Sequence, residues 1–279
     1  MPHATEVPVV TLHDGVEMPQ LGFGVFQIPP EETQERVEEA LAVGYRHVDT
    51  AAAYRNEAGV GAAIAAGGVR REDVFLTTKL WNSAQGYDSA LEAFEKSLGR
   101  LGTGHVDLYL IHWPLPSRDL FLDTWRAFER IKEEGGARSI GVSNFRVEDL
   151  ERLEREAEQR PTVNQIELHP RLQQAELRAW HADHEVATEA WSPLAQGELL
   201  EDGTIETIAA HHERTPAQVI LRWHLQLGNV VIPKSVTPSR IRENYELFDF
   251  ALSEDDMAAI ERLDAGERTG PDPATFSVA

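Results

Sequence analysis

Segment 73–112, DVFLTTKLWNSAQGYDSALEAFEKSLGRLGTGHVDLYLIH, contains one full repeat of the pattern that decides the fold. It opens with a short apolar run at 73–79, continues with a helical stretch over 89–98 and closes with a second apolar run at 106–112. Runs of this length, rich in β-branched and aromatic residues, are typical of buried strands. A strand, a helix and another strand in this order predict two parallel strands joined by a helical crossover.

The same unit recurs along the chain, so that eight predicted strands are each followed by a helical stretch. We predict strands over 21–26, 45–50, 73–79, 106–112, 137–144, 162–167, 186–191 and 229–235, and helices over 31–42, 56–65, 89–98, 120–132, 147–156, 174–184, 204–211, 216–226 and 238–244. Eight units in about 250 residues predict an α/β fold, a (β/α)8 TIM barrel. The alternative, an open doubly wound sheet, usually begins with a G-x-G-x-x-G turn, which GFGVFQ (22–27) lacks.

The two ends of the chain fall outside the repeat. Alternating runs around Asp14 and Gly15 predict an N-terminal β-hairpin, and GERTGPDPATFSVA (266–279) predicts an irregular C-terminal tail over the barrel surface. No linker divides the chain, so we expect one domain over 1–279. The start, MPHATEVPVVTLHDG (1–15), lacks the pattern of a signal peptide. No apolar run approaches the length of a membrane span, and a cytoplasmic location is the default expectation.

Charge and cysteine content exclude several function classes. The 279 residues include 26 basic and 47 acidic side chains, for a formal charge of −21. Nucleic acids and anionic membranes are therefore disfavoured as partners, since both attract basic patches. We interpret the charge as an acidic surface that aids solubility, with adaptation to salt as the alternative. Because the chain has no cysteine, disulfides, thiolate nucleophiles and cysteine zinc sites are excluded.

Polar residues follow the predicted strands, where a barrel places its active site. Lys79 ends an apolar strand, and a lysine is almost never fully buried unless it is paired. Asp49 ends the neighbouring strand, within side-chain reach because strands lie about 4.8 Å apart. The residues expected at this shared mouth are Asp49, Tyr54, Lys79, His112, Ser143, Asn144, Gln165, Trp191, Lys234 and Ser235.

Four of these side chains together suit the reduction of a carbonyl group. Taken singly, Asp49 can cap a helix, His112 can be a core histidine and Tyr54 a semi-buried aromatic. Taken together, the phenol of Tyr54 is a general acid whose pKa an adjacent ammonium lowers. Asp49 then holds Lys79 in place, while His112 donates a hydrogen bond to the developing oxyanion. None of these groups delivers a hydride, so a nicotinamide cofactor is required.

Several spaced motifs resemble those of the aldo-keto reductases, most of all the bacterial 2,5-diketo-D-gluconate reductases. They are GYRHVDTAAAYRNE (44–57), TTKLWN (77–82), LIHWP (110–114), GVSNF (141–145), NQIELHP (164–170) and IPKSVTPSRIREN (232–244). The resemblance runs from about Val10 to Asp264. It implies an (α/β)8 barrel that uses NADPH without a metal, and a tetrad of Asp49, Tyr54, Lys79 and His112 with Tyr54 as the proton donor.

The resemblance also implies the cofactor contacts. Ser143, Asn144 and Gln165 would bind the nicotinamide carboxamide, and Trp191 would stack on its ring. SPLAQG (192–197) would line the pyrophosphate, although Ala195 replaces the glycine that is commoner there. Arg240 and its neighbours would bind the 2′-phosphate and adenine, at a strand end and helix start suited to anions. The remaining positions in these segments are Ser192, Leu194, Gln196, Gly197, Lys234, Ser235, Val236, Glu243 and Asn244.

The substrate pocket is predicted from aromatic residues near the strand ends and from His112. The candidate walls are Phe23, Phe26, Trp81, Trp113 and Phe145. Short loops at 113–119 and 195–205 predict an open, shallow site for a small aldehyde, ketone or keto-sugar acid rather than a steroid. We expect 2,5-diketo-D-gluconate or a similar compound as substrate, with a broad aldehyde or methylglyoxal reductase as the alternative. The expected partner is this small molecule, and the chain is expected to be a monomer.

Two other functions stay open at this point. A Schiff-base aldolase would use Lys79 or Lys234 and need no nicotinamide. A redox sensor would retain NADPH without turning over a substrate. A metal site is not expected, because the histidines at 181, 184, 211 and 212 form no H-E-x-x-H pattern and are interpreted as surface residues of helices.

Overall fold

The computed structural model describes residues 7–66 and 68–278. Residues 1–6, for which we expect no signal peptide, and the last residue of the tail lie outside the described residues. A two-stranded antiparallel hairpin comes first, β1 Val9–Thr11 paired with β2 Glu17–Pro19. The turn lies where it was predicted, at Asp14 and Gly15. Gly15 has a φ of 85°, and its N–H donates to Leu12 O at 2.8 Å.

Within the described residues, eight further strands form one parallel sheet in chain order. They are β3 Phe23–Gly24, β4 His47–Asp49, β5 Phe75–Leu80, β6 Val106–Ile111, β7 Ala137–Ser143, β8 Val163–Glu167, β9 Ala187–Trp191 and β10 Val230–Val231. The sheet closes on itself, because Leu21 forms a parallel bridge with Val231 and the Val231 N–H donates to Gln20 O at 2.9 Å. The predicted (β/α)8 barrel is confirmed, and the open doubly wound sheet is excluded.

The helices surround the barrel in the predicted order. They are α1 Pro30–Val43, α2 Glu57–Ala66, α3 Tyr87–Leu101, α4 Phe121–Glu133, α5 Val147–Glu156, α6 Ala175–Asp183, α7 Gly203–His212, α8 Pro216–Gln226, α9 Pro238–Glu243 and α10 Glu254–Glu261. The last of them was missed at the level of sequence, although Ser253 and Asp256 form a capping box at its start. Among the described residues, no helix is long and apolar enough to cross a membrane.

The hairpin closes the end of the barrel where the strands begin. Leu12 and Met18 are buried against the inward-facing side chains Phe75, Val163 and Val230. Each of these three begins or lies near the start of its strand. The barrel is therefore filled with apolar side chains at this end, and a ligand site has room only at the opposite end.

The C-terminal tail lies across the other end, at the mouth. Glu167, at the end of β8, accepts hydrogen bonds from the backbone N–H groups of Thr269 and Gly270 at 2.6 and 3.0 Å. Further along, the ring of Phe276 lies 4.2 Å from that of Trp113. The tail thus supplies a wall that the short loops do not.

Candidate active site

A buried ammonium group joins the predicted tetrad. Lys79 is 0% exposed, and its Nζ donates to Asp49 Oδ1 at 2.6 Å and to Thr50 O at 3.1 Å. The same Nζ lies 3.3 Å from Tyr54 Oη. Tyr54 reaches it from the short turn after β4, while Lys79 comes from β5. The structure thus brings the predicted acid, ammonium and phenol into direct contact.

The charges of this cluster decide which groups hold a proton. Burial alone would lower the pKa of Lys79, but Asp49 and then Tyr54 more than offset that effect, so the pKa is raised and the ammonium stays charged. Burial raises the pKa of the Tyr54 hydroxyl, against the opposing effect of Lys79. Lys79 thus lowers the pKa of Tyr54 as predicted, but burial outweighs this effect and the net pKa is raised. Tyr54 is protonated at neutral pH, as a general acid must be.

His112 lies beside Tyr54, with its ring 5.7 Å away at an angle of 76°. Burial, and after it the charge of Lys79, hold the pKa of His112 well below its ordinary value, so the imidazole is neutral. Its Nδ1 is buried without a hydrogen-bond partner among the described residues. A neutral imidazole carries one N–H, which can be donated to an oxygen of a substrate.

The residues predicted to bind the nicotinamide carboxamide meet next to the tetrad. Ser143 and Gln165 are opposite each other in the register of β7 and β8. Asn144 donates to His112 O at 3.0 Å and accepts a hydrogen bond from the indole N–H of Trp191 at 2.9 Å. The four side chains share one side of the mouth, and their contacts with a cofactor remain a prediction.

The loop after β9 is strained. Ser192, Ala195 and Gln196 have φ values of 48°, 47° and 55°, in the left-handed region that glycine adopts without steric cost. Ala195 is nevertheless buried, at 1% exposure. Gln196 donates to Thr269 O at 3.4 Å, so the loop touches the tail. Leu194 packs against the core, and Gly197 continues the left-handed run with a φ of 98°.

The predicted phosphate-binding segment presents Lys234 and Arg240 to the solvent. Within residues 7–66 and 68–278 no ion pair involves either. Ser235 is buried and its Oγ accepts from Thr237 N–H at 3.1 Å, while Val236 is 40% exposed. The predicted adenine contacts, Glu243 and Asn244, lie at the end of the six-residue helix α9, where Glu243 accepts from Thr215 Oγ1 at 2.8 Å.

Two of the predicted pocket walls lie elsewhere. Phe23 is 1% exposed, and its ring packs on Tyr45 in the layer between strands and helices. Phe145 is also 1% exposed and packs edge-on against Phe121. Both side chains belong to the core around the barrel, so their assignment to the substrate pocket is wrong.

The other predicted walls remain near the tetrad. Phe26 is 52% exposed and lies 5.0 Å from the ring of Tyr54. Trp81 lies 5.2 Å from the ring of His112, and Trp113 meets Phe276 of the tail. The apolar surface beside Tyr54 therefore comes from three predicted residues and from one in the tail.

Two titratable residues inside the barrel escaped the sequence analysis. Glu189, in the middle of β9, is 0% exposed, as is His47 of β4. Gln165 Nε2 donates to Glu189 Oε2 at 2.8 Å, and His47 Nε2 lies 3.6 Å from Glu189 Oε1. The sequence does contain a signal for this pair. Glu189 lies within the predicted strand 186–191, and a charged residue in a buried strand indicates a nearby partner.

The histidines outside the mouth have varied surroundings. His181 is 1% exposed and hydrogen-bonded to Asn164 and Thr188, so its interpretation as a surface residue is wrong. His211 is exposed, and His212 Nε2 lies 2.9 Å from Asp256 Oδ2. His184 is partly exposed. Among the described residues, no hydrogen bond or ion pair joins these histidines to the tetrad.

Comparisons with known proteins agree with this geometry. The family model described as "Aldo/keto reductase family" matches residues 20–265. "Methylglyoxal reductase DkgA" of Yersinia pestis is 53% identical over 98% of each chain, and "Glyoxal reductase" of Bacillus subtilis strain 168 is 52% identical over 95% of each. The crystal structure of the Gox0644 D53A mutant in complex with NADPH is 51% identical, with a TM-score of 0.93, over 96% of this chain and 98% of that one.

Proposed function

Since the chain belongs to the aldo/keto reductase family, we propose that it reduces small aldehydes and dicarbonyl compounds to alcohols, with NADPH as the hydride source. The chain is thereby an oxidoreductase. One observation carries the proposal: Lys79 Nζ lies within hydrogen-bond distance of both Asp49 and Tyr54, with the neutral His112 beside them.

The tetrad residues have separate tasks in this proposal. His112 orients the carbonyl oxygen of the substrate and stabilises the charge that develops on it. Tyr54 transfers its hydroxyl proton to that oxygen, and the charged Lys79 stabilises the phenolate that remains. Asp49 fixes the ammonium and keeps it charged. The aromatic surface around Tyr54 excludes water from the reacting oxygen.

The residues at the mouth fit a phosphorylated nicotinamide cofactor. Bound there, such a cofactor supplies the hydride that no side chain can deliver. In a chain with a charge of −21, Arg240 and Lys234 are exposed cations that form no ion pair with any described residue, and an arginine matches the geometry of a phosphate. Gln165 and Ser143 would orient the carboxamide, and Trp191 offers an aromatic face. The NADPH complex of Gox0644 supports this assignment.

The relatives favour one substrate class over another. Enzymes described as methylglyoxal and glyoxal reductases are about half identical to this chain over nearly its whole length. We therefore place methylglyoxal and related short dicarbonyls ahead of 2,5-diketo-D-gluconate, which stays a second candidate. The apolar walls and the tail suit a compact substrate.

The Schiff-base alternative is disfavoured by the state of Lys79. A lysine that forms a Schiff base must be neutral, with its pKa lowered by its surroundings. Asp49 has the opposite effect on Lys79, whose pKa is raised. Lys79 is therefore unsuited as a nucleophile.

A Tyr54→Phe variant tests the proposed reaction. NADPH oxidation is measured with methylglyoxal, 2,5-diketo-D-gluconate and a plain aromatic aldehyde. The variant should lose about 100-fold or more in kcat, the share of a general acid, while its affinity for NADPH is retained. Tyr87→Phe removes the hydroxyl of an exposed tyrosine on α3 and should behave as wild type. Turnover at the wild-type rate in Tyr54→Phe would refute the acid assignment, and NADPH retention without turnover in the wild type would favour a redox sensor.

A further inference from the structure

Inside the barrel, β9 carries a carboxyl group next to the predicted cofactor site. Glu189 is opposite Gln165 in the register of β8 and β9 and opposite Val230 on the other side. Its side chain is 0% exposed. An ionised carboxylate at such a place is costly unless it is paired and hydrogen-bonded. The tetrad chemistry does not use Glu189, so its presence in the barrel needs another explanation.

Glu189 and Asp49 together engage the side-chain amide of Gln165. Gln165 Nε2 donates to Asp49 Oδ2 at 2.9 Å and to Glu189 Oε2 at 2.8 Å. A primary amide has two N–H donors, so both are occupied. Turning the amide over would bring its oxygen against the Asp49 carboxylate, which is repulsive. The amide oxygen is thus the only group that Gln165 still offers, and among the described residues it has no hydrogen-bond partner.

Among the described residues, the charged groups that act on Glu189 are the carboxyl group of Asp49 and the ammonium of Lys79. Burial, and after it the charge of Asp49, raise the pKa of Glu189 to about 8, while Gln165 and Lys79 act in the opposite direction. Glu189 Oε1 faces His47 Nε2 at 3.6 Å. Burial lowers the pKa of His47 to about 4, so this histidine is neutral and places no positive charge beside Glu189.

Among the described residues, the other elements that face Glu189 add no group that titrates near neutral pH. From β10 the facing residue is Val230, which is apolar. Tyr54 stays protonated well above neutrality, because its pKa is raised. Between about pH 7 and 9.5, Glu189 is therefore the group in this cluster that changes its charge.

We propose that Glu189 is a positioning residue of the cofactor site: with Asp49 it holds both amide hydrogens of Gln165, so that only the amide oxygen is presented to the nicotinamide carboxamide. This inference rests on the proposed function, because it takes Gln165 to contact the cofactor. A second consequence follows from charge. Ionised Glu189 adds a negative charge near the nicotinamide site, and this charge favours the oxidised cofactor, whose ring is positive.

Two substitutions separate the hydrogen bond from the charge. Glu189→Gln retains an acceptor for Gln165 and an amide N–H toward His47, and so imitates the protonated carboxyl. Glu189→Leu removes the acceptor. The matched control is Glu57→Gln, since Glu57 is 1% exposed and bonds instead to Thr78 Oγ1 at 2.6 Å, outside the barrel interior.

The dissociation constants of NADPH and NADP+ are measured by quenching of tryptophan fluorescence from pH 6 to 9.5. At pH 7, Glu189→Leu should weaken NADPH binding about tenfold, the value of one lost hydrogen bond, whereas Glu189→Gln should stay near wild type. In the wild type, affinity for NADP+ relative to NADPH should rise about threefold or more between pH 7 and 9.5. This rise should be absent in Glu189→Gln and retained in Glu57→Gln.

A measurement without cofactor checks the buried proton. Because the folded-state pKa of Glu189 is raised, its contribution to stability is present at low pH and is lost as the pH rises toward 8. The melting temperature of Glu189→Gln should therefore exceed that of the wild type by a margin that grows between pH 5 and pH 8.

The possible results are distinct. Wild-type NADPH affinity in Glu189→Leu, or a retained pH profile in Glu189→Gln, would overturn the inference. If Glu189→Leu does not fold, the profile of Glu189→Gln decides. If the wild type fails to bind NADPH, the proposed function fails and the positioning role fails with it. In that case, a difference in melting temperature between Glu189→Gln and the wild type that grows with pH would still assign the titrating carboxyl to Glu189.

Discussion

At the scale of single residues, Lys79 shows how a buried charge organises its neighbours. Its ammonium is fully buried and donates to Asp49 and to Thr50 O. The sequence analysis found this cluster because a lysine at the end of an apolar strand requires a partner. The same argument applied to strand 186–191 would have found Glu189. Glu189 lies in the middle of its strand, where the pattern of polar residues at strand ends gives no signal.

Alternation along a strand explains the errors among the aromatic residues. Gly24 is opposite Asp49 in the register of β3 and β4, and Phe23 is opposite Val48. Since Asp49 faces the barrel interior, Phe23 must face the helices. Phe145, beyond β7, depends on the path of a loop, and that path is set by packing against Phe121 rather than by any local pattern.

Arg240 is predicted to select the phosphorylated cofactor. Its guanidinium is exposed and has no ion-pair partner in the described part of the chain, so it is available to a 2′-phosphate. Arg240→Ala should weaken NADPH binding by about tenfold, the size of a charge-assisted hydrogen bond, and NADH binding much less. Titrations of both cofactors check this. Equal losses for the two would contradict a phosphate role, and Arg242→Ala on the same helix serves as the control.

At the scale of elements, the contact between α2 and α3 depends on one glycine. A Cβ at Gly61 would lie 2.2 Å from Leu101 O, a backbone atom that cannot move aside cheaply. The pattern of α2, EAGVGAAIAA, suggests close packing of small residues, but it does not show which glycine is in contact.

Gly61→Ala should therefore reduce the free energy of unfolding by about 1–3 kcal/mol, as overpacking does. The matched change is Gly99→Ala on α3, where a Cβ meets nothing within 4 Å. It should stabilise the protein by about 0.5–1 kcal/mol through helix propensity. Urea unfolding of both variants provides the measurement, and equal effects of the two changes would argue against the predicted contact.

The strands and helices of the barrel were predicted more reliably than the segments outside the repeat, which are helix α10 and the C-terminal tail. All eight strand and helix units are confirmed, because hydrophobic periodicity recurs with each of them. Helix α10 was missed, since it follows the last unit, where the repeat gives no guidance. The path of the tail was not predictable either, because it depends on Glu167 accepting hydrogen bonds from a segment that is 102 residues away along the chain.

At the scale of the whole molecule, buried histidines couple stability to pH. Burial is the main cause that lowers the pKa of His47 to about 4 and those of His181 and His224 to about 3. In the unfolded chain these histidines titrate at about 6.5. Between these values the unfolded state binds more protons, so the folded state loses stability as the pH falls.

Above about pH 6.5 these three histidines do not reduce the free energy of unfolding. Between pH 6 and pH 4 we expect them to reduce it by an amount that approaches about 4 kcal/mol per pH unit. Urea unfolding at a series of pH values measures the slope. His224→Gln should lower the slope by about 1.4 kcal/mol per pH unit, the share of one histidine, whereas His211→Gln, at an exposed position, should not change it. An unchanged slope in His224→Gln would contradict the assignment.

The single-domain organisation and the monomeric state remain predictions that sedimentation can check.

The hairpin at the closed end of the barrel has a practical consequence for use of the protein as a catalyst. It lies opposite the mouth, and Val9 on its first strand is 50% exposed. Because the chain contains no cysteine, a cysteine introduced at position 9 would be the only thiol in the molecule. Coupling through that thiol to a bead or an electrode would immobilise every copy in one orientation, with its mouth open to the solution.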